Sequence, residues 1–293
     1  MVGTASPALG LVRSYIELTK PRILLLVLFT GLPVLWMAAA APSVALTLAI
    51  LGGTALAAGA ANTLNCYIER DRDALMERTR NRPLPAAKLR ASHALIFGLV
   101  LAVLASAVLW LAGGPLAAAL GVASILFYVF VYTVWLKPRS SWNAVVGGAA
   151  GAVAPLIADA AVNGRVTAAG WLLFAIIFFW QPPHVWAIAL FRKDDYRRAG
   201  IPMLPNVIGD EGTRWRMLWY TLALVPVTLA PVPLGLLGNI YLGAALALDA
   251  WFTWSIVRVL TERTESAARR AFHVSLGYLF ALFLAMLADL ALR

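Results

Sequence analysis

Residues 93–136 read HALIFGLVLAVLASAVLWL-AGGP-LAAALGVASILFYVFVYTVWL, and this stretch determines the class of fold. Two apolar runs without a charged residue, 93–111 and 116–136, are separated by a short segment rich in glycine and proline. The basic sequence KPR follows directly at 137–139. About 20 apolar residues in a helix cross the roughly 30 Å hydrocarbon core of a bilayer. The stretch therefore predicts two membrane-spanning helices joined by a tight turn and followed by a charged loop.

The same pattern extends over the whole chain. Of its 293 residues, 61% are hydrophobic and 13% are charged, whereas soluble domains carry about 25% charged residues. This composition excludes a soluble enzyme and a disordered chain, and the single cysteine, Cys66, excludes a disulfide scaffold. Apolar stretches long enough to span a membrane occupy residues 23–40, 43–66, 93–111, 116–136, 144–162, 168–190, 217–237, 240–260 and 272–292. The sequence predicts one all-α integral-membrane domain over 1–293, a polytopic transmembrane helical bundle of about nine spans.

The charges favour a membrane protein over a nucleic-acid-binding protein. The chain carries 24 Lys and Arg against 14 Asp and Glu, a formal net charge of +10. On the map of spans, 22 of the basic residues lie on one side of the membrane, and only Arg165 and Arg293 lie on the other. A nucleic-acid partner would require the positive charge on one folded face, so we expect none. The positive-inside rule instead places the N-terminal segment 1–22 and the long loops 67–92 and 191–216 in the cytoplasm.

The N-terminal segment and the loop spacing add two expectations. Residues 1–22 have neither the short apolar core of a secretory signal nor the composition of a transit peptide. We therefore expect the first span to be retained in a bacterial inner membrane. The two long loops follow spans two and six, and this spacing indicates two related four-helix units plus one extra helix.

The loop after span two contains the densest group of polar side chains. If span two continues as a helix past Tyr67, Asn65, Glu69 and Asp73 recur every fourth residue and share one face. Two carboxylates and an amide oxygen form a ligand set that Mg²⁺ takes together with substrate phosphates. Arginine and lysine side chains of the kind that bind phosphate surround this face, at positions 70, 72, 78, 80, 82 and 88.

An ordinary cytoplasmic loop is the alternative interpretation, since Glu–Arg pairs support helices in many proteins. Asn65 and Glu69 lie at the membrane boundary, where polar groups without a partner are costly, and this favours a binding site. The loop after span six holds a second group of acids, Asp194 and Asp195, flanked by four basic residues. If the two groups face each other, they would bracket a diphosphate through two Mg²⁺ ions.

His184 follows Pro182 and Pro183 inside the sixth apolar stretch. A lone histidine in an apolar helix is commonly a hydrogen-bonded structural group. The alternative is a role toward a bound substrate, as a metal ligand or as an orienting hydrogen-bond donor. The sequence leaves both roles open.

These motifs carry a family resemblance. The pattern Asn-x-x-x-Glu-x-x-x-Asp at 65–73, followed by RTRNRP at 78–83, resembles the first acidic motif of the UbiA-type intramembrane prenyltransferases. The segments LTKPRI at 18–23, YTVWLK at 132–137, WQPPH at 180–184 and DYRRAGIPM at 195–203 resemble the branch of that family that acts on haem. Glu69 stands where the family commonly has Asp. Phe191 stands where the wider family has the first acid of its second motif, which disfavours a quinone-type substrate.

The resemblance implies transfer of a farnesyl group from farnesyl diphosphate to the 2-vinyl group of haem B, with a hydroxyl supplied by water. The products would be haem O and diphosphate, Mg²⁺ would be the cofactor, and a downstream haem A synthase would be a partner. It implies catalytic roles for Asn65, Glu69, Asp73 and Asp195, and metal binding by these residues and Asp194. Diphosphate binding would fall to Lys20, Arg72, Arg78, Arg82, Lys193 and Arg197, and haem binding to Trp180, Gln181 and His184.

Two other functions remain open from the sequence. One is a UbiA-type prenyltransferase that acts on a quinone precursor or a chlorophyll-type tetrapyrrole. The other is a secondary transporter, because repeats, broken helices and intramembrane charges also occur in that class. A transporter would place its ionisable residues near the middle of the membrane, whereas the acidic clusters here lie at the cytoplasmic ends of spans two and six. This placement favours an enzyme that takes a diphosphate head from the cytoplasm and its hydrocarbon tail from the bilayer.

Overall fold

The computed structural model describes residues 7–38 and 42–293, and every regular element in this part of the chain is helical. In chain order the α-helices are α1 Pro7–Thr19, α2 Pro21–Trp36, α3 Val44–Ala74, α4 Ala91–Leu126, α5 Asn143–Gly151, α6 Ala154–Asn163, α7 Ala168–Phe191, α8 Lys193–Arg198, α9 Leu204–Leu229, α10 Asn239–Glu262 and α11 Glu265–Ala291. A π-helix, Phe127–Leu136, continues α4 directly. The all-α prediction is confirmed. The start of the predicted cytoplasmic segment, 1–6, and residues 39–41 at the end of the first predicted span lie outside the described residues.

The predicted count of nine spans is not confirmed. Among the described residues, six helical stretches are long and apolar enough to cross a membrane, and α1 and α2 together make a seventh with a 46° bend. Two predicted spans lie in one stretch, Ala91–Leu136, whose 46 residues measure roughly 69 Å as a straight helix. Gly114, with φ 77°, interrupts its backbone where the sequence predicts a turn. The chain is a multi-pass membrane protein, and its division into two four-helix units stays a prediction.

The two predicted loops are partly helical, and they contact each other. Helix α3 extends to Ala74, well into the predicted loop 67–92, and α8 and the start of α9 lie within 191–216. Met76, which follows α3, packs in one buried cluster with Tyr196 at α8. The backbone N–H of Glu77 donates a hydrogen bond to the side chain of Asp195 over 3.3 Å. The chain thus brings the ends of α3 and α7 together at one end of the bundle.

Two buried acids cap helices at the end of the bundle away from the contact between α3 and α7. Asp159 in α6 accepts hydrogen bonds from Thr167 N at 2.6 Å, Thr167 Oγ1 at 2.8 Å and Gly170 N at 3.2 Å. Asp289 in α11 accepts from Gly238 N at 2.8 Å and Tyr241 N at 3.1 Å. The first N–H groups of a helix lack partners within it, so these carboxylates stabilise the starts of α7 and α10. Both acids are therefore structural.

Asp249 lies inside α10 and has a different set of partners. It accepts hydrogen bonds from Tyr278 Oη at 2.6 Å and from Thr228 Oγ1 at 2.7 Å. Tyr241 Oη donates to the Thr228 carbonyl at 2.8 Å and extends this buried network. The network joins α9, α10 and α11 by hydrogen bonds within an otherwise apolar core, where an unpaired acid would be costly.

Candidate active site

The predicted polar face of α3 is one wall of a cavity, and each of its three side chains has a cationic partner. Lys20 Nζ donates to Asn65 Oδ1 over 2.9 Å. Lys137 Nζ lies 2.6 Å from the carboxylate of Glu69. Arg82 donates to Asp73 Oδ2 over 2.8 Å. Asn65, Glu69 and Asp73 are all at most 3% exposed.

Local backbone features place these cations. Lys20 stands between α1 and α2 with a left-handed backbone, φ 56°, so its side chain meets α3 at the bend. Lys137 directly follows the π-helix, and its N–H donates to the carbonyl of Tyr132, five residues earlier, over 2.8 Å. Arg82 lies in the turn after α3. Burial is the largest single influence on the pKa of Arg82 and lowers it, but the nearby negative groups, chiefly the Asp73 carboxylate with its hydrogen bond and also Glu69, together outweigh burial, so the pKa of Arg82 is raised.

We call this space the polar cavity; its volume is about 200 Å³. Four cations, three side chains of α3 and three tyrosines contribute to its wall: Lys20, Arg78, Arg82, Lys137, Asn65, Glu69, Asp73, Tyr128, Tyr132 and Tyr196. Asn65 is held in orientation because its Nδ2 donates to Thr133 Oγ1 over 3.1 Å. A cavity with four cations and two carboxylates suits an anion whose charge exceeds one, such as a diphosphate with bound metal.

The second acidic group lies beside this cavity. Asp195 is buried and accepts hydrogen bonds from Arg198 and from the Glu77 backbone. The remaining predicted basic and acidic residues are outside the cavity wall. Lys193 pairs with Asp210 over 3.0 Å. Arg197 pairs with Asp194 over 3.3 Å, with both side chains well exposed. Arg72 is half-buried and is likewise absent from the wall.

The acidic side chains suit Mg²⁺, although the described residues contain no group of three or more His, Cys, Asp or Glu side chains arranged to hold a metal by themselves. Asp73 Oδ1 and Asp195 Oδ2 are buried oxygen atoms that accept no hydrogen bond within the described part of the chain. Mg²⁺ prefers one or two carboxylates together with substrate phosphates and water. Asp73 Oδ1 fits that partial ligand set, as does Asp195 Oδ2, which lies 3.8 Å from the Arg192 guanidinium, and the phosphates would have to complete the set.

A second space, the apolar cavity, adjoins the polar one. It also measures about 200 Å³, and Ile23 and Tyr128 line both spaces. Small side chains form most of its wall, including Ala57, Ala58, Ala61, Gly147, Ala150, Gly151 and Ala154. The two cavities together offer a charged compartment next to a mainly apolar compartment.

The three predicted haem-binding residues divide between two faces of α7. Gln181 lines the apolar cavity. Trp180 and His184 face α11 instead, where the ring of His184 stacks between Trp180 at 4.5 Å and Phe272 at 4.8 Å. The structure therefore does not bring all three residues to one cavity.

Ser275 contacts both His184 and the backbone of its own helix. The Ser275 hydroxyl lies 2.7 Å from the Phe272 carbonyl and 2.7 Å from His184 Nδ1. When the hydroxyl donates to the carbonyl, it accepts a hydrogen bond from Nδ1–H, and Nε2 keeps its lone pair. This arrangement satisfies the structural role and leaves one nitrogen able to act as a ligand or acceptor.

The YTVWLK segment at 132–137 contains none of the predicted site residues. Tyr132, Thr133 and Lys137 of that segment all contact the predicted α3 face or line the polar cavity. The YTVWLK motif was the sequence feature from which their role in the site could have been predicted. The π-helix that points these side chains inward has no evident sequence signature, although such helices occur frequently at functional sites.

The model of the UbiA prenyltransferase family matches residues 25–287. The chain belongs to the UbiA prenyltransferase family. It is 46% identical over 281 residues to the "Protoheme IX farnesyltransferase" of Symbiobacterium thermophilum, covering 95% of this chain and 94% of that protein. A protein of the same name from Gloeobacter violaceus is 48% identical over 280 residues, covering 94% and 91%.

Solved structures of the same family share the fold. A digeranylgeranylglyceryl phosphate synthase superposes with a TM-score of 0.81 at 16% identity, covering 97% of this chain and 99% of that one. A UbiA homologue from Archaeoglobus fulgidus, solved with DMAPP and Mg²⁺ bound, superposes with a TM-score of 0.69 at 16% identity, covering 93% and 99%. The predicted UbiA-like architecture is confirmed.

Proposed function

We propose that this protein transfers a farnesyl group from farnesyl diphosphate to the 2-vinyl group of haem B, adds a hydroxyl from water and releases haem O and diphosphate. The observation that carries the proposal is the junction of the polar and apolar cavities at Ile23 and Tyr128. A prenyl diphosphate has a highly charged head and a hydrocarbon tail, and these two compartments match its two parts. The names of the relatives at 46–48% identity support farnesyl as the tail and protoheme as the acceptor.

The polar cavity would hold the diphosphate and stabilise its departure. Lys20, Arg78 and Arg82 supply positive charge to the phosphate oxygens, whose negative charge grows as the allylic C–O bond breaks. Because Asn65 and Asp73 of α3 already hold Lys20 and Arg82 in place, little reorganisation of these two cations accompanies the reaction. Bound Mg²⁺, held by Asp73 and Asp195 with Asn65 and Glu69 nearby, would neutralise the charge on the departing diphosphate.

The apolar cavity would shelter the farnesyl cation until it reacts. Alanine and glycine form much of its wall, and the hydroxyls of Thr54 and Ser124 are bonded to backbone carbonyls, so the wall offers few nucleophiles to an allylic cation. Tyr128 lies at the junction, next to the position of the reacting carbon, and an aromatic face stabilises positive charge. The vinyl carbon of haem B would then attack from the side opposite the diphosphate.

The assignment of the haem-binding residues rests on the family, and the assignment of the membrane orientation rests on the placement of charge. Binding of the porphyrin by Trp180, Gln181 and His184 stays a prediction, as does orientation with the polar cavity on the cytoplasmic side of a bacterial inner membrane. The charge asymmetry supports that orientation, because the predicted map of spans assigns 22 of the 24 basic residues to the side of the long polar loops. A quinone precursor or a chlorophyll-type tetrapyrrole is the alternative acceptor, and no described feature favours either over haem.

The test is an assay of the purified protein in lipid with Mg²⁺, farnesyl diphosphate and haem B. We expect diphosphate release together with a haem heavier by one farnesyl group plus the elements of water, detected by mass spectrometry. Parallel reactions contain an aromatic acid or a chlorophyll-type tetrapyrrole in place of haem. Unchanged haem with prenylation of one of these acceptors would overturn the assignment of haem as the substrate. Release of no diphosphate with any acceptor would overturn the prenyltransferase reaction itself.

A further inference from the structure

Five polar side chains interrupt the wall of the apolar cavity, and three of them donate hydrogen bonds to backbone carbonyls. Thr54 donates to the Ile50 carbonyl at 2.8 Å, Ser124 to Gly121 at 2.8 Å, and Asn62 to Thr19 at 3.1 Å. The other two, Tyr128 and Gln181, make no side-chain hydrogen bond within residues 7–38 and 42–293. The Gln181 side chain is half-buried, and its amide is free to bind a polar ligand in the cavity.

Gln181 stands close to the junction of the two cavities. Val185 and Ile188, one and two turns further along the same face of α7, line the polar cavity. The rise of an α-helix puts Gln181 about 6 Å from Val185 along the axis. Opposite its amide, Gly151 leaves the necessary room, because a Cβ there would lie 3.1 Å from Gln181 Oε1.

We propose that the amide of Gln181 holds the water molecule that hydrates the haem vinyl group after farnesyl transfer. This inference rests on the proposed function. In the first step, the C1–O bond of farnesyl diphosphate breaks with both electrons leaving on oxygen. The terminal vinyl carbon then bonds to C1, which leaves a cation on the vinyl carbon next to the porphyrin ring. Water forms a C–O bond to that carbon, and its proton passes to the released diphosphate.

The chemistry of an amide suits this task. The farnesyl chain is a hydrocarbon and offers Gln181 nothing to bond. An amide donates one hydrogen bond and accepts another, so it can hold one water with a lone pair free to attack. It carries no charge, so it does not form a stable ion pair with the cation. It is also too weak a base to remove the proton whose loss would convert the cation into the competing alkene.

The test is the product distribution of Gln181→Leu in lipid with Mg²⁺, farnesyl diphosphate and haem B. Without an ordered water, the cation loses a proton from the adjacent carbon and forms an alkene, which is lighter than the hydroxylated product by one water. We expect the ratio of hydroxylated to dehydrated product to fall by about tenfold or more, since displacement of a reacting group by about an ångström has effects of this size. Gln181→Met, which keeps the side-chain length, should give the same shift and guards against a folding defect in the leucine variant.

Thr54→Val is the matched control. Thr54 lines the same cavity, but its hydroxyl is bonded to the Ile50 carbonyl, so the product ratio should equal that of the wild type. A wild-type ratio in both Gln181 variants overturns the proposal. So does a raised KM for haem at an unchanged ratio, because that result makes Gln181 a haem-binding group. If the wild type leaves haem B unchanged, the proposed function fails instead, and the two failures are thus distinguishable.

Discussion

Lys137 and Glu69 form a buried ion pair, with Lys137 Nζ 2.6 Å from the carboxylate and the Glu69 side chain 3% exposed. The pair joins the end of the π-helix to the middle of the polar face of α3. Lys137 therefore has two functions, which are to fix the α4 segment against α3 and to place a positive charge in the polar cavity.

Removal of the lysine should destabilise the protein. Lys137→Met leaves the Glu69 carboxylate buried without its cation, and breaking such a pair costs about 3–5 kcal/mol. We expect a lower melting temperature and little turnover. The double variant Lys137→Met with Glu69→Gln carries no unpaired charge, so it should recover most of the stability but no activity. Recovery of activity in the double variant would contradict a role for the Lys137 charge in diphosphate binding.

Asp73→Asn should abolish turnover while the protein stays folded. The change removes the negative charge at the Oδ1 atom that accepts no hydrogen bond, so it weakens metal and diphosphate binding at the reacting end of the substrate. We expect diphosphate release to fall by about 100-fold or more. Asp71→Asn is the control, because its side chain is 85% exposed and lies off the polar face of α3. Wild-type activity in Asp73→Asn would disprove the proposed metal site.

Removal of divalent metal should stop catalysis reversibly. The described carboxylates do not form a complete metal site, so we expect tight Mg²⁺ binding only in the presence of a prenyl diphosphate. Calorimetric titration with Mg²⁺ should therefore give a much higher affinity with a non-hydrolysable farnesyl diphosphate analogue than without it. Equal affinity in both titrations would mean that the protein alone supplies the ligands.

Gly147→Ala should impair the site without changing the fold. A Cβ at Gly147 would lie 2.4 Å from Tyr132 Cδ2, so the tyrosine ring must move in the polar cavity. Overpacking of this kind costs about 1–3 kcal/mol, and we expect a raised KM for farnesyl diphosphate and a lower kcat. Gly243→Ala in α10 meets nothing within 4 Å and should behave as the wild type. Normal kinetics in Gly147→Ala would show that the position of Tyr132 is unimportant.

Asp159→Ala should lower stability and leave the chemistry of each folded molecule intact. The substitution removes the acceptor for three donors at the start of α7. Loss of a helix cap costs about 0.5–2 kcal/mol, and the buried position favours the upper end of that range. The midpoint of thermal unfolding in detergent measures the effect. Asn163→Ala removes only one hydrogen bond to the same carboxylate, so it should cost less. A larger loss in Asn163→Ala would contradict the capping role.

The predicted alignment of the polar face of α3 depended on local geometry alone. Asn65, Glu69 and Asp73 are four residues apart, and the fixed rotation of a helix places them on one wall. The sequence could not show which basic residues line the cavity, because Arg72 and Arg82 both lie in the basic loop after Asn65 and Glu69. Arg72 does not line the cavity, whereas Arg82 returns to Asp73 through a turn that long-range packing against α8 supports.

The number of spans is a feature that the sequence alone did not establish. Apolar length marked nine segments. The backbone break at Gly114 lies where a turn between two of them was predicted, whereas α9 begins with a polar half that the apolar pattern placed in a loop. A hydropathy pattern records the composition of each segment. It does not record the backbone torsion at a glycine or how far a helix extends beyond the membrane.

The amino-acid sequence by itself determined the class of the protein, the family and the acidic face of α3, because apolar run length and helical periodicity are local properties of the chain. Only the tertiary structure decided that Lys20 and Lys137 pair with that face, that Gln181 and His184 lie on different sides of α7, and that a polar and an apolar cavity meet at Ile23 and Tyr128. These relations join residues that are far apart in the chain, so they arise from helix packing and leave no signal in local sequence.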